Sequence, residues 1–570
     1  MKPRIKNDKS KFEAESWADA TYNFQSPKGD DKMKAISTVR ELIKEARAFA
    51  SRVAVTCKRD GEYVSYTYDD LCRDARRVGR SLCALGLIGK KIIICGENGY
   101  EWVTSYLAVT GYVGTAVPLS RSLFPDELAD AALHCDAAAV IYGDDCGELI
   151  AKLPENTVKL PFSSLSGMTY GEGTPKFTPT PDDIAELAYS SGTEGKAKAV
   201  ALSHKNICHS LSALAGRIKI DENDRFYSVL PLTHVNERIC GLLCPLSVGA
   251  SVAYGDGLRK IRTNMKKTQP TVTVCVPFIL DKIYSKIAKN IKEKNKTAAV
   301  SRIIKLTEKT GRFKKTLRRT VFAQIHESLG GNLRFFLAVG DSVKYRTQRG
   351  LDSFGIDTVQ CYGLTETAAL ISVNEGGTDY RSVGRPIESG LTDIYNVQSD
   401  GVGEIRYKGD NVTVGYYGDE TETAEHLRDG WLYTGDMGYI DEDGALHIVG
   451  RKGNIIATSK GKQIYPEELE AALTRSPYVK ECVVVGVPDS KAGEYDTVAV
   501  IYPEESRFVE QYGAGYTDAT VSRELEIAID TVNDRFDGTH KRISRFTVSE
   551  TELPKTADGK IIRALIDKNV

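Results

Sequence analysis

Between positions 190 and 198 the chain gathers Ser190, Ser191, Gly192, Thr193, Gly195, Lys196 and Lys198, residue types that can hold a polyphosphate. They follow the apolar run at 184–189. Small residues let backbone amides turn toward an anion, hydroxyls donate to phosphate oxygens, and lysines supply compensating charge. The string is not a Walker loop: Lys196 follows Gly195, but no hydroxyl residue comes next and the first glycine stands too close. Taken alone, a Gly/Ser/Thr-rich turn is more often an ordinary loop, so its reading depends on the rest of the chain.

Further along, carboxylates, hydroxyls and basic residues recur in short strings: YGLTET at 362–367, YTGD at 433–436, GRK at 450–452, SKGKQIYPEELE at 459–470 and PKTADGKIIR at 554–563. In this order they resemble the motifs of the adenylate-forming superfamily (acyl-CoA synthetases, luciferases, peptide-synthetase adenylation domains), whose phosphate loop is close to YTSGTTGxPKGV. The resemblance runs from about Thr38 to the end of the sequence. It implies that Ser190, Ser191, Gly192, Thr193, Gly195 and Lys198 cradle the phosphates of ATP. It implies that Glu366 helps hold Mg²⁺, Thr365 contacts the α-phosphate and Tyr362 flanks the adenine. By the same resemblance Asp436 accepts the ribose hydroxyls and Arg451 is the basic partner on that sugar. Lys560 is then the catalytic lysine bridging the attacking carboxylate and the α-phosphate. Gly340, Gly363 and Gly461 join the cofactor-binding positions. These residue types suit the task, because adenylyl transfer demands placement and charge neutralisation more than covalent help, and Mg²⁺ prefers hard oxygen ligands. Singly, each has a plainer reading: Asp436 capping a turn, Glu366 starting a helix, Lys560 one of many solvated lysines.

Two strings narrow the resemblance. LPLTHVNER at 230–238 is similar to the LPLAH-x-x-ER signature of long-chain acyl-CoA synthetases, and VPFILDKIYSKI at 276–287 looks like that group's VPR-x-x-EKIY segment. His234 would then border the acyl and pantetheine passages and join the catalytic set; a packed or capped histidine is the plainer alternative. SKGKQIYPEE resembles the loop that lines the pantetheine channel in CoA-using members. The implied activity is activation of a carboxylic acid, of fatty-acid type, by ATP to acyl-AMP, followed by transfer to CoA. Delivery to a carrier protein, and a homologue that binds without turning over, stay open as alternatives. Several residues depart from the family pattern. Glu194 stands where Thr is usual and puts a carboxylate beside polyphosphate; Ala197 and Ala199 replace Pro and Gly, and Gly453 replaces an Asp or Lys.

The elements that must position these residues read as α/β. Strand-type apolar runs at 92–95, 137–142, 226–230, 271–276, 334–339 and 358–361 alternate with helical patterns such as 68–87 and 125–134. Buried strands separated by helices predict a large N-terminal domain of doubly wound α/β layers. From about Thr392 short strands and Gly- or Asp-rich turns predict a β-rich subdomain at 392–450. Residues 451–570 follow as a small, mobile α+β domain: a helix start at 466–468, a strand at 482–487, a helix near 521–536, with the hinge at 450–454. Charged residues make up 27% and the net charge is −1, which argues against a general nucleic-acid binder. The charged start and the lack of a long apolar stretch predict a cytoplasmic protein. The twelve cysteines form no CxxC pair, and no zinc site is expected. Residues 281–320 hold 14 Lys or Arg against 3 Asp or Glu; a solvated helix face is the plain reading, and a peripheral contact with an anionic membrane the sharper one.

Overall fold

Runs such as KIIIC and VTVC carry apolar residues on both faces, so they are stable only where layers cover them on both sides. The computed structural model, which describes residues 36–191, 197–257, 260–308, 313–376, 380–457, 463–488, 495–537, 539–556 and 561–566, places them so. Lys91–Cys95 pairs in parallel with Thr115–Pro118 and Ala137–Tyr142 within a seven-stranded sheet. Val272–Cys275 pairs in parallel with Arg225–Ser228 and Phe335–Ala338 within a nine-stranded one. One apolar core takes in both sheets and their helices, and a second lies on the other face of the seven-stranded sheet. The helix Tyr100–Tyr112 is buried at every position but Glu101, as expected of a helix that is apolar all round. Among the described residues no helix is long and apolar enough to cross a membrane.

Local sequence explains the boundaries. Thr67 and Asp70 form a capping box that starts the helix Tyr68–Ala84. That helix stops short of 87 because Gly86 takes a φ of +79° and turns the chain left-handed. The strand expected at 226–230 is Arg225–Ser228, since Pro231 just beyond has no N–H for a ladder. Ser203 and Asn206 cap the helix His204–Arg217 reciprocally, and the Asn206 amide also donates to the carbonyls of Asp410 and Val412 at 2.8 and 2.7 Å.

Beyond the two large sheets, five strands from Gly390–Tyr395 to Leu446–Arg451 make a third, antiparallel sheet. Val479–Pro488, Tyr495–Pro503 and Arg545–Val548 make a small sheet with its own core of Leu469, Val484, Ile501 and Leu525. Ion pairs between this C-terminal part and the rest include Lys452–Glu404 (2.8 Å), Lys292–Glu510 (2.8 Å) and Lys541–Asp400 (3.6 Å).

One feature has no counterpart in the local pattern. After the turn at 231–234 the chain forms a π-helix, Glu237–Leu243, packed on the nine-stranded sheet. From it Arg238, wholly buried, reaches Glu186 on the strand Ile184–Ser191 of the other sheet, with Nε and Nη2 at 2.9 and 2.8 Å from the two carboxylate oxygens. The Tyr106 hydroxyl donates to the same carboxylate at 2.7 Å, and Arg238 Nη1 donates to the Leu232 carbonyl at 2.7 Å. Removing one partner strands a charge in a low-dielectric interior. Arg238→Ala and Glu186→Ala are each expected to lower the unfolding free energy by about 3–5 kcal/mol, and the double variant by less than the sum. Urea unfolding checks this; losses below about 1 kcal/mol, the scale of a surface pair, would deny the pair its structural weight.

Candidate active site

The strand Asp357–Tyr362 delivers Tyr362 to the C-terminal edge of the nine-stranded sheet, the edge at which α/β sheets bind ligands. Gly363 follows. A Cβ there would lie 2.4 Å from the Ala369 carbonyl carbon, so no other residue fits. The chain then turns through Thr365–Thr367 and two left-handed alanines, Ala368 (φ +43°) and Ala369 (φ +74°). Left-handed backbone at alanine costs about 1–2 kcal/mol per residue, so surrounding bonds must impose it. Ala369 N–H donates to Leu364 O at 3.0 Å and Ile371 N–H to Tyr362 O at 2.7 Å. The amide of Asn411, fully buried, donates to Thr367 O and Leu370 O at 2.9 and 2.6 Å, while its own oxygen accepts from the Tyr407 hydroxyl at 2.8 Å.

This turn presents Glu366, whose backbone carbonyl accepts from Thr413 N–H at 2.7 Å. Its Oε1 accepts from the Tyr416 hydroxyl at 2.8 Å. Burial, then the Glu366 charge, pushes the Tyr416 phenol far above its usual range, so Tyr416 stays a donor. Glu366 Oε2 has no protein partner among the described residues. A half-exposed carboxylate on a hydrogen-bonded turn, with one oxygen held and the other unengaged among the described residues, fits a hard divalent cation such as Mg²⁺.

The antiparallel pair Trp431–Ile440 and Leu446–Arg451 sets Asp436 directly opposite Arg451. Asp436 is buried; Arg451 Nε lies 2.7 Å from its Oδ1, and the Tyr362 hydroxyl donates to its Oδ2 at 2.7 Å. Burial and then the Asp436 charge push the Tyr362 phenol well above its ordinary value, so it donates at any physiological pH. Burial works against the Arg451 guanidinium, but Asp436, then Tyr362, Asp341 and Glu366, more than offset it. Arg451 therefore stands at a point faced by three carboxylates, Asp436 from within a strand and Asp341 and Glu366 from the segments that follow two others. Gly340, which precedes Asp341, has a φ of +87°; a Cβ on it would sit 3.5 Å from Asn236 Nδ2.

Not every expected residue meets the others. Gly192, Thr193, Gly195, Gly461 and Lys560 lie outside the described residues, and of Ser191 only the backbone is described. Ser190 pairs with Lys198 across the hairpin formed by Ile184–Ser191 and Ala197–Ser203, a strand-to-strand turn rather than the strand-to-helix turn of a Walker loop. The Lys198 ammonium is ion-paired with Glu422 and sits 5.9 Å from the Tyr416 ring. It thus braces the segment that holds Glu366. Thr365 is half-buried on the turn beside Glu366. His234 is exposed, and its carbonyl accepts from the N–H groups of Glu237 and Arg238 at 3.1 and 3.2 Å.

The sequence did not single out Asn411 or Tyr416, because each acts through contacts distant along the chain, nor Glu237, whose role depends on burial. Glu237 is wholly buried, and among the described residues neither carboxylate oxygen closes a full hydrogen bond. Gly241 makes room for it, since a Cβ there would lie 2.0 Å from Oε1. Burial pushes its carboxyl up to about 8, against the pull of the Ser228 hydroxyl and the Leu230 N–H.

The mixed α/β layers form the fold of the adenylate-forming enzymes, with the buried Asp436 held between Arg451 and Tyr362. A model of the AMP-binding enzyme family matches residues 42–417, and one of the AMP-binding enzyme C-terminal domain matches residues 468–560. The chain belongs to the AMP-binding enzyme family and is an AMP-forming ligase. It is 28% identical over 550 residues to fatty acyl-CoA synthetase B of Dictyostelium discoideum, covering 87% of this chain and 79% of that one. It is 29% identical over 472 residues to the peroxisomal long chain acyl-CoA synthetase 6 of Arabidopsis thaliana, covering 75% and 67%. Its fold matches the anthranilate CoA ligase AuaEII in complex with anthranoyl-AMP with a TM-score of 0.74 at 20% identity, covering 92% of this chain and 96% of that one.

Tyr362→Phe removes one donor from a buried carboxylate and is expected to lower kcat/KM for ATP roughly five- to hundred-fold, the effect of about 1–3 kcal/mol; an unchanged value would remove Tyr362 from the site. Glu237 gives a pH signature. Its folded pKa is raised, so folding holds its proton more tightly than the unfolded chain does, and stability is expected to fall as pH rises from about 4.5 to about 8. Glu237→Gln should flatten that part of the profile of unfolding free energy against pH, and an identical slope in the variant would contradict the assignment.

Proposed function

We propose that this protein couples ATP to the activation of a fatty acid, giving acyl-AMP and pyrophosphate, and then transfers the acyl group to CoA. The observation that carries the reading is the Asp436–Arg451–Tyr362 cluster: a buried carboxylate oriented by two donors is built to accept the hydroxyls of a sugar. Glu366 would hold Mg²⁺, which when bound offsets the charge of the triphosphate. In the first step the acid's carboxylate oxygen forms a bond to the α-phosphorus as the bond to the β-phosphate oxygen breaks, and pyrophosphate leaves with that electron pair. In the second, the CoA sulfur bonds to the acyl carbon, AMP leaves with the oxygen, and the thiol proton passes to water. Within this reading Lys560 neutralises charge only in the first step. In this reading the C-terminal domain, taken from 451 on, turns between steps about the hinge at 450–454, where an added Cβ on Gly453 would meet nothing within 4 Å.

A fatty acid, rather than an aryl acid, is favoured by the LPLTHVNER string and by relatives named for fatty acyl substrates. Lys560→Ala tests the mechanism. Acid-dependent ATP–pyrophosphate exchange is expected to fall by at least about 10²-fold, the scale of losing a charge-stabilising group, while thioester formation from supplied acyl-AMP is largely retained. Equal loss in both half-reactions would refute the role of Lys560. Pyrophosphate release measured from acetate to long saturated acids and aryl acids fixes the substrate. A product seen only with a phosphopantetheinylated carrier protein would replace CoA as the acceptor, and no exchange with any acid would mark a binding protein without turnover.

A further inference from the structure

Past Ser228 the ladder of the nine-stranded sheet ends, and Pro231 has no N–H, so the turn at 230–234 needs other partners for its peptide groups. It closes on itself once, His234 N–H donating to the Pro231 carbonyl at 3.0 Å. From its C-terminal side Arg238 Nη1 donates to the Leu232 carbonyl at 2.7 Å, and the N–H groups of Glu237 and Arg238 donate to the His234 carbonyl. Two further groups are met by one side chain from far away. Asn98 Nδ2 donates to the Leu230 carbonyl at 2.7 Å, and Asn98 Oδ1 accepts from Leu232 N–H at 2.9 Å.

Asn98 stands just before Gly99, the N-cap of the helix Tyr100–Tyr112, where an asparagine ordinarily serves its own turn or the helix end. Here its amide is engaged 132 and 134 positions away. A planar amide offers a donor and an acceptor side by side. The Leu230 carbonyl and the Leu232 N–H, two residues apart on one edge of the chain, meet it as they would a neighbouring strand. Those partners also set which way the amide points, because a carbonyl only accepts and an N–H only donates. Aspartate lacks the donor, leucine lacks both ends, and glutamine is one methylene too long.

Asn98 follows the strand Lys91–Cys95, while Glu186, the partner of Arg238, lies on Ile184–Ser191. In the seven-stranded sheet only Thr115–Pro118 runs between those two strands. The turn is thus tied to one sheet at two points, through Asn98 and through Arg238. One tie fixes a distance and leaves the segment free to pivot; two fix its orientation as well. From this clamp the chain carries His234 to an exposed position.

We propose that Asn98 is a positioning residue for the acid, an inference that rests on the acid-activating reading above, in which His234 borders the acyl passage. By holding the turn at 230–234 in register with the seven-stranded sheet, Asn98 sets where the acid's carboxylate stands relative to the α-phosphate. The hairpin strand that ends in Ser190 and Ser191 belongs to the same sheet. A shift of the turn against that sheet is therefore a shift of acid against phosphate, and misplacement by about 1 Å costs up to about 10²-fold in rate.

Asn98→Ala and Asn98→Asp are compared with the parent in acid-dependent ATP–pyrophosphate exchange, with the acid that releases pyrophosphate fastest. Equilibrium binding of Mg·ATP is measured on the same proteins by titration calorimetry. Asn98→Ala is expected to lower kcat/KM for the acid roughly ten- to hundred-fold, with the affinity for Mg·ATP unaltered. At neutral pH Asn98→Asp should lose as much, since a carboxylate repels the Leu230 carbonyl. Once protonated, its carboxyl regains a donor. Its activity relative to the parent at the same pH should therefore rise as pH falls from about 8 to about 5, while the ratio for Asn98→Ala stays flat. If Asn98→Ala does not fold, the recovery of Asn98→Asp on acidification carries the test alone. Unchanged kcat/KM for the acid in Asn98→Ala, an equal loss of acid turnover and ATP affinity, or a flat ratio for Asn98→Asp would overturn the inference and leave the activity reading intact. A parent protein with no acid-dependent exchange would overturn both.

Discussion

The geometry of the site rests on the buried pair between Arg238 and Glu186. Glu186 lies four positions before Ser190, and Arg238 four positions after His234. The pair therefore fixes the distance between the hairpin that leads to the phosphate-type loop and the turn that carries the LPLTH string. It can do so in an apolar interior because it is saturated: two bonds between the ions, one from Tyr106 and one to the Leu232 carbonyl. The neighbouring Glu237 shows what the cation contributes. One residue away, with no arginine and no complete hydrogen bond, its carboxyl is held in the proton-bound form well above the ordinary carboxylate range.

The second constraint is the turn that presents Glu366. Its left-handed alanines are unfavourable alone, and a helix N-terminus or a capping side chain would have offered a cheaper route to an exposed carboxylate. The turn persists because Asn411, Tyr407, Thr413 and Tyr416 reach it from a segment some forty to fifty residues downstream. Lys198 and Glu422 brace that segment in turn. Glu366, the hairpin strand that carries Lys198 and the strand Gly415–Tyr416 are thus tied together, which suits charge placement in a reaction that gains little from covalent help.

Much of the architecture was legible. The strands at 92–95, 137–142 and 358–361 and the helices at 68–87 and 125–134 were visible because apolar period and capping residues are local properties. Boundaries slipped where a single backbone feature intervened, as at Gly86 and Pro231. Tyr362, Glu366, Asp436 and Arg451 were legible through ordered motifs, and the structure gathers them around one arginine. Lys198 was read only as a phosphate ligand; its pairing with Glu422, 224 positions away, could not be seen along the chain.

By itself the sequence determined the α/β layering that buries its strands and the reaction class that the ordered motifs imply. Tertiary structure decided how the side chains of those motifs are held. It set Asp436 against Arg451 by strand register and against Tyr362 across 74 residues, and left Glu237, inside a π-helix, without a counter-ion among the described residues. The physical reason is range: propensity, capping and periodicity act over a few residues, whereas burial and charge pairing are fixed only when distant segments close around one another.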